Sequence, residues 1–247
     1  MKKRLSVLML FARSSVYKLM IIIGAMAVLQ FAVYKMNEST QLDFYFGSGD
    51  MQKFAGLIFA GGFAFLSFFL IGTGEKSSKF GYTLKRLNIS EREVLLLNCL
   101  ADILMFAVFW LAEIMILFFL STFYAGNDAY SAGPQGVFVD FYRSKFFHSV
   151  FPLNETLLWV RNILYVIFSG ILCACASLRL RYGKLPVMQI IFLEVILVSF
   201  KTSVGAGADA ANIFAVFILL YVAMTLVKCI HLAHDGRKAA DDEEIII

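Results

Sequence analysis

The chain has no visible catalytic apparatus. The motifs H-E-x-x-H and G-x-S-x-G and paired Cys/His ligand sets are all missing. Histidine occurs only 3 times, and His231 and His234 sit together near the C-terminus, which leaves little material for a metalloenzyme. The nearest thing to a phosphate loop, Gly72-Thr73-Gly74-Glu75-Lys76-Ser77, lacks the G-x-x-x-x-G-K-[ST] spacing and a preceding soluble strand, so it cannot cradle a nucleotide. Charge is scarce too, at 16% of residues against about a quarter in ordinary globular chains. A net charge of +4 gives no nucleic-acid footprint and serves as a topology signal. The four cysteines (Cys99, Cys173, Cys175, Cys229) lie inside or at the ends of apolar runs, so they read as small packing residues and not as a disulfide framework. No His or carboxylate stands near Cys173-x-Cys175 in sequence to complete a metal site.

What is abundant is apolar surface. Hydrophobic residues make up 60% of the 247, and the mean hydropathy is +0.77. A spanning helix needs about 20 mostly apolar residues, and several such runs are present. The pattern predicts an all-α polytopic membrane protein, a single transmembrane domain over 1–247 with six spans near 16–36, 51–73, 91–124, 162–178, 186–204 and 210–232. Residues 1–15, with Lys2, Lys3, Arg4 and Arg13 around a short apolar core, read as an uncleaved interfacial helix. The second span carries Gly56, Ala60, Gly61, Gly62 and Ala64, small residues that permit close helix approach. Pro186 suits the start of the fifth span. Residues 233–247 read as a solvated tail.

Between the third and fourth spans, 125–159 forms a long loop with the aromatic run Phe138, Phe141, Tyr142, Phe146, Phe147, Phe151. Mixed with Arg143, Lys145 and His148, these predict a helix resting in the outer interface, with His148 simply amphipathic. The basic residues fix an orientation. Of the 22 Lys and Arg, five fall in 1–18, five in 74–93, three in 178–184 and three from Lys228 onward, all on one side; six fall on the other. The asymmetry places both termini in the cytoplasm.

The ionisable residues to consider away from the inner ends of the predicted spans are Asp102 and Glu113 on the third and Glu194 and Lys201 on the fifth. Charges at membrane depth face a bundle interior, a partner or water. Asp102, Glu113 and Glu194 are candidates for an intramembrane polar path. The alternative for the two deeper ones, Glu113 and Glu194, is a structural hydrogen bond to Ser, Thr, Tyr or Trp on a neighbouring helix. Lys201, close to the outer end, is placed to snorkel.

The segment from Glu75 to Cys99 is the longest polar interruption on the basic side. Phe80, Leu84 and Leu87 fall at i, i+4 and i+7, the stripe of a short amphipathic helix, while Lys79, Lys85 and Arg86 take other faces. Ser90 and Glu93 then form an S-x-x-E capping box, which starts a new helix at Glu91. The order Glu75, Gly81, Leu84, Leu87, Ile89, Ser90, Glu93 resembles the E…G…L-x-x-L-P-[IV]-[ST]-x-x-E signature of type-2 ABC exporter permeases. Asn88 stands where that family often has proline, the loop before the fourth span is longer than expected, and the outer segment between the fifth and sixth spans is short.

The resemblance extends over the six-span layout and implies a transmembrane permease subunit that exports an amphipathic or hydrophobic cargo such as a peptide, lipid or drug. It makes the segment between spans two and three a cytoplasmic coupling helix, with Lys79, Phe80, Tyr82, Leu84, Lys85, Arg86 and Leu87 docking on the ATPase. It also implies separate ABC ATPase subunits that hold ATP and Mg, a second permease subunit (a copy or a sister), no cofactor or catalytic site in this chain, no nucleic-acid partner, and residence in the cytoplasmic membrane. Two rivals remain from the residues alone: an ion-coupled carrier using Glu113 and Glu194, and a non-transporting membrane scaffold.

Overall fold

A computed structural model of the chain describes residues 2–38, 49–73, 90–125, 145–152, 155–201 and 207–244. Among these residues the protein is all helical: α1 (Lys2–Glu38), α2 (Gly49–Thr73), α3 (Glu91–Ala125), α4 (Lys145–Val150), α5 (Thr156–Arg181), α6 (Val187–Lys201) and α7 (Gly207–Glu244). Five stretches, Ser15–Met36, Phe54–Gly72, Glu91–Thr122, Thr156–Arg181 and Ile213–Ala233, are long and apolar enough to cross a membrane, so this is a multi-pass membrane protein. The helix at the expected fifth span, α6, has 15 residues. At 1.5 Å per residue it covers roughly 22 Å, less than the roughly 30 Å of a hydrocarbon core.

Helix α5 is the central post. It packs against α2, α3, α6 and α7, most extensively against α3. Its sequence explains why. Ser169, Cys173 and Ser177 recur at four-residue spacing, as do Gly170 and Ala174, and all are buried. Small side chains let helix backbones approach closely, which in lipid is the main source of helix association. The closest approach is at Gly170, where a Cβ would lie 2.5 Å from the Ile103 backbone nitrogen and 2.7 Å from its Cα. The small residues noted on the second span play a lesser part: a Cβ at Gly62 would meet the Met26 side chain, and one at Gly61 would meet nothing within 4 Å. Around this crossing an aromatic core forms. Phe59 of α2 contacts Phe109 of α3, Phe146 of α4 and Phe200 of α6, with ring centroids 5.4, 5.9 and 5.8 Å away.

Three expectations need correction. First, residues 2–14 do not form a separate interfacial helix. No breaker interrupts the chain at Arg13-Ser14-Ser15, and α1 runs unbroken through them for 37 residues. Phe11 is buried against Val94 and Ala101 near the start of α3, which keeps this extension on the bundle. Second, the aromatic residues that close the long loop do not rest in the interface. Phe146, Phe147, His148, Ser149 and Val150 of α4 are all buried, because Phe146 and Phe147 join the main core. Third, the fourth span does not begin at Asn162 but six residues earlier, at Thr156. Phe138, Phe141, Tyr142 and Arg143 of that loop, and the side chains of Lys145 and Lys201, lie outside the described residues.

The turn after α5 is tightly specified. Gly183 has φ +70° and occupies the left-handed position that ends the helix. Its N–H donates to the Leu180 carbonyl at 2.9 Å, and Lys184 N–H donates to the Arg179 carbonyl at 2.9 Å, the paired bonds of a Schellman ending. Arg179 and Arg181 sit in the last turn, where positive charge suits the helix dipole. Pro186 stands one residue before α6, and its carbonyl accepts from Ile190 N–H at 3.2 Å.

Substituting Gly170 tests the central crossing. Gly170→Leu should prevent the α3–α5 contact, and Gly170→Ala should lower stability by about 1–3 kcal/mol, as overpacking does when backbone and not a side chain must yield. Gly62→Ala should cost less, since the flexible Met26 side chain can move. Thermal unfolding of the three purified variants in one detergent ranks them, and equal stability of Gly170→Ala and wild type would contradict the crossing.

Candidate functional site

The polar groups inside the bundle belong to separate helix pairs. Along α3, Asn98, Asp102 and Glu113 share the buried stripe, since four and eleven residues each return close to the same helix face. Glu113 is fully buried at 0% exposed, and Gln30 of α1 donates from Nε2 to its Oε1 at 2.8 Å. Glu113 Oε2 and Gln30 Oε1 have no partner. A single amide therefore ties α1 to α3 through this carboxyl. The residue that supplies it, Gln30, was not among the Ser, Thr, Tyr and Trp expected to serve as partners.

Asp102 is 2% exposed and interacts electrostatically with Cys99 on its own helix and Cys173 on α5. Burial of Asp102 follows from Gly170, because Ile103 is the residue against which α5 closes. Oδ1 of Asn98 and Oδ2 of Asp102 have no partner. The four cysteines are all free thiols and all buried, and the Cys229 thiol of α7 donates to the Cys175 carbonyl of α5 at 3.9 Å. They act as packing residues between helices. Among the described residues, no group of three or more His, Cys, Asp and Glu is arranged to hold a metal ion.

Glu194 takes no part in either assembly. It points out of the bundle from the middle of α6, on a face shared with the exposed Ile190, Ile191 and Val198. Helix α6 packs against α2, α4 and α5, and Glu113 faces α1, so the structure does not bring Glu113 and Glu194 together.

At the end of the bundle where α3 begins, the capping box forms in part. Glu93 N–H donates to Ser90 Oγ at 3.3 Å, and α3 starts at Glu91. The seven proposed docking residues, Lys79, Phe80, Tyr82, Leu84, Lys85, Arg86 and Leu87, lie outside the described residues. What the sequence did not signal is how the cap is held. Tyr182, from the turn after α5, donates its hydroxyl to Glu91 Oε2. Burial, and then the Glu91 carboxylate beside it, push the Tyr182 hydroxyl pKa above its ordinary value. The same turn is fastened to α6. With its amide oriented to satisfy both neighbours, the buried Gln189 accepts from Arg179 Nη1 at 2.9 Å and donates to the Pro186 carbonyl at 3.1 Å.

A further assembly, also missed from sequence, lies where α4 meets α5. Asn162 Nδ2 donates to the Ser149 carbonyl at 2.8 Å, and Trp110 Nε1 donates to the Val150 carbonyl at 3.2 Å. These bonds satisfy the carbonyls at the end of the short buried helix. His148 is buried here, with Nε2 3.9 Å from Glu155 Oε1. Arg161 is buried beside Asn162. Starting the fourth span at Asn162 left Arg161 in a loop, which hid it as a buried charge.

The α1–α3 bond should behave as a coupled pair. Gln30→Leu and Glu113→Leu should each destabilise the protein, and their effects should sum to more than that of the double variant by a coupling of about 1 kcal/mol in a double-mutant cycle. Glu113→Gln, which keeps an acceptor for Gln30, should cost less than Glu113→Leu. Unfolding in detergent reads both, and a coupling near zero would remove the bond from the account. Comparison with known proteins adds no relative: no family model matches the chain, and neither a curated protein nor a solved structure matches it.

Proposed function

We propose that this chain is the transmembrane permease subunit of an ATP-driven exporter in the cytoplasmic membrane, moving an amphipathic or hydrophobic cargo. Separate ATPase subunits would bind ATP and Mg and supply the motion. The reading joins the type-2 ABC exporter resemblance of the segment from Glu75 to Glu93 to one structural observation that supports it. The helix following the motif begins at Glu91, is capped by Ser90, and is clasped at its first residue by Tyr182. A push on the segment before Ser90 would therefore act on α3 and, through Tyr182, on the end of α5. Those two helices make the most extensive contact in the bundle.

In this proposal six helices cross the membrane with both termini inside, α6 being the fifth crossing, and a second permease subunit completes the translocation path. Phe80, Tyr82, Leu84 and Leu87 would bury in a groove on the ATPase, while Lys79, Lys85 and Arg86 would pair with acids at its rim. The ion-coupled alternative asks Glu113 and Glu194 to share a path, and their separation in the bundle weighs against it.

Purification of the full-length chain from its native membranes should bring down a soluble ATPase with a Walker motif. Leu84→Asp should abolish both that association and transport while membrane insertion continues. Undiminished association by the variant, or labelling that places the Lys79–Arg92 region on the external face, would overturn the proposal.

A further inference from the structure

Arg161 lies in the second turn of α5, roughly 8 Å along the helix axis from Thr156. It is 2% exposed. Its surroundings hold the guanidinium in place without neutralising it. Nη2 donates to Asn162 Oδ1 over a long 3.4 Å, and the Tyr165 ring lies under the guanidinium carbon at 5.6 Å. The Asn162 amide is itself fixed by its bond to the Ser149 carbonyl. Nε and Nη1 have no acceptor at all. Glu155 interacts with Arg161 electrostatically, but its side chain is largely exposed and its Oε1 lies 3.9 Å from His148 Nε2.

A buried guanidinium with two of its three nitrogens unbonded is an expensive state. Desolvated charges are retained where a counter-charge meets them. Among the described residues the surroundings of Arg161 offer only Glu155, whose side chain is largely exposed. The Tyr165 ring beside the guanidinium packs on Phe200 at 5.4 Å. Arg161 itself lies near one end of a stretch long and apolar enough to cross a membrane, Thr156–Arg181. Arginine's planar set of donors is suited to phosphate oxygens.

We propose that Arg161 forms an anion-binding site for a phosphate group, carried on an amphiphile. The site is independent of the permease reading. It needs no ATPase, and it would exist equally in a carrier or a scaffold.

The test uses the full-length protein in phosphatidylcholine nanodiscs, titrated with phosphatidylglycerol or with inorganic phosphate, and read by native mass spectrometry and thermal unfolding. Wild type should retain phosphatidylglycerol saturably and gain thermal stability. Arg161→Met should weaken retention by about tenfold or more, the effect of losing charge-assisted hydrogen bonds. Arg161→Lys should fall between them. If inorganic phosphate alone stabilises wild type and competes with the lipid, the site is supported with free phosphate as its source; if phosphate has no effect while the lipid saturates, the source is the headgroup. Should Arg161→Met fail to fold, the wild-type titration and the Arg161→Lys shift still decide. Non-saturable lipid binding with no response to phosphate would overturn the proposal, as would either variant retaining lipid like wild type.

Discussion

Everything in the bundle is arranged around the near-touching backbones of α3 and α5 at Gly170 and Ile103. In lipid there is little hydrophobic gain in moving one helix from hydrocarbon onto another, so association rests on dispersion contacts at short range. The run of small residues on α5 supplies that range. Its consequences spread outward. Asp102, next to Ile103, is forced out of contact with water, and the cysteines at 173 and 175 fill space that larger side chains could not. Helix α5 becomes the element against which four other helices are positioned.

The polar groups then fall into distinct assemblies at different heights. Gln30 and Glu113 join α1 to α3. Asp102 is enclosed with Cys173 between α3 and α5. Tyr182 and Glu91 join α5 to α3 at the other end from α4, where Arg179 and Gln189 also join α5 to α6. Each assembly links helices, and each includes α3 or α5.

Much of this was legible in sequence. Hydropathy located the five long apolar helices among the described residues, and S-x-x-E at Ser90 and Glu93 placed the start of α3 at Glu91, because a cap is a local device written in adjacent residues. Burial direction was not legible. Glu113 and Glu194 both sit in apolar runs, yet one points into the bundle and the other out, a difference set by which neighbours pack against each helix. The loop before the fourth span misled for a related reason. Phe146 and Phe147 have the composition of an interfacial helix, and only the vacancy between α2 and α6 decides that they turn inward. Arg161 stayed hidden because one charged residue among apolar ones is as good a sign of a helix end as of a helix interior.

The described length of α6 bears on the lipid beside it. If α6 is the fifth crossing, as proposed, its 15 described residues cover roughly 22 Å of a hydrocarbon layer of roughly 30 Å, and a mismatch of that kind draws the two leaflets together locally. In that arrangement Glu194, which faces out of the bundle from the middle of the helix, would lie beside thinned bilayer, with headgroups nearer than along α3 or α5.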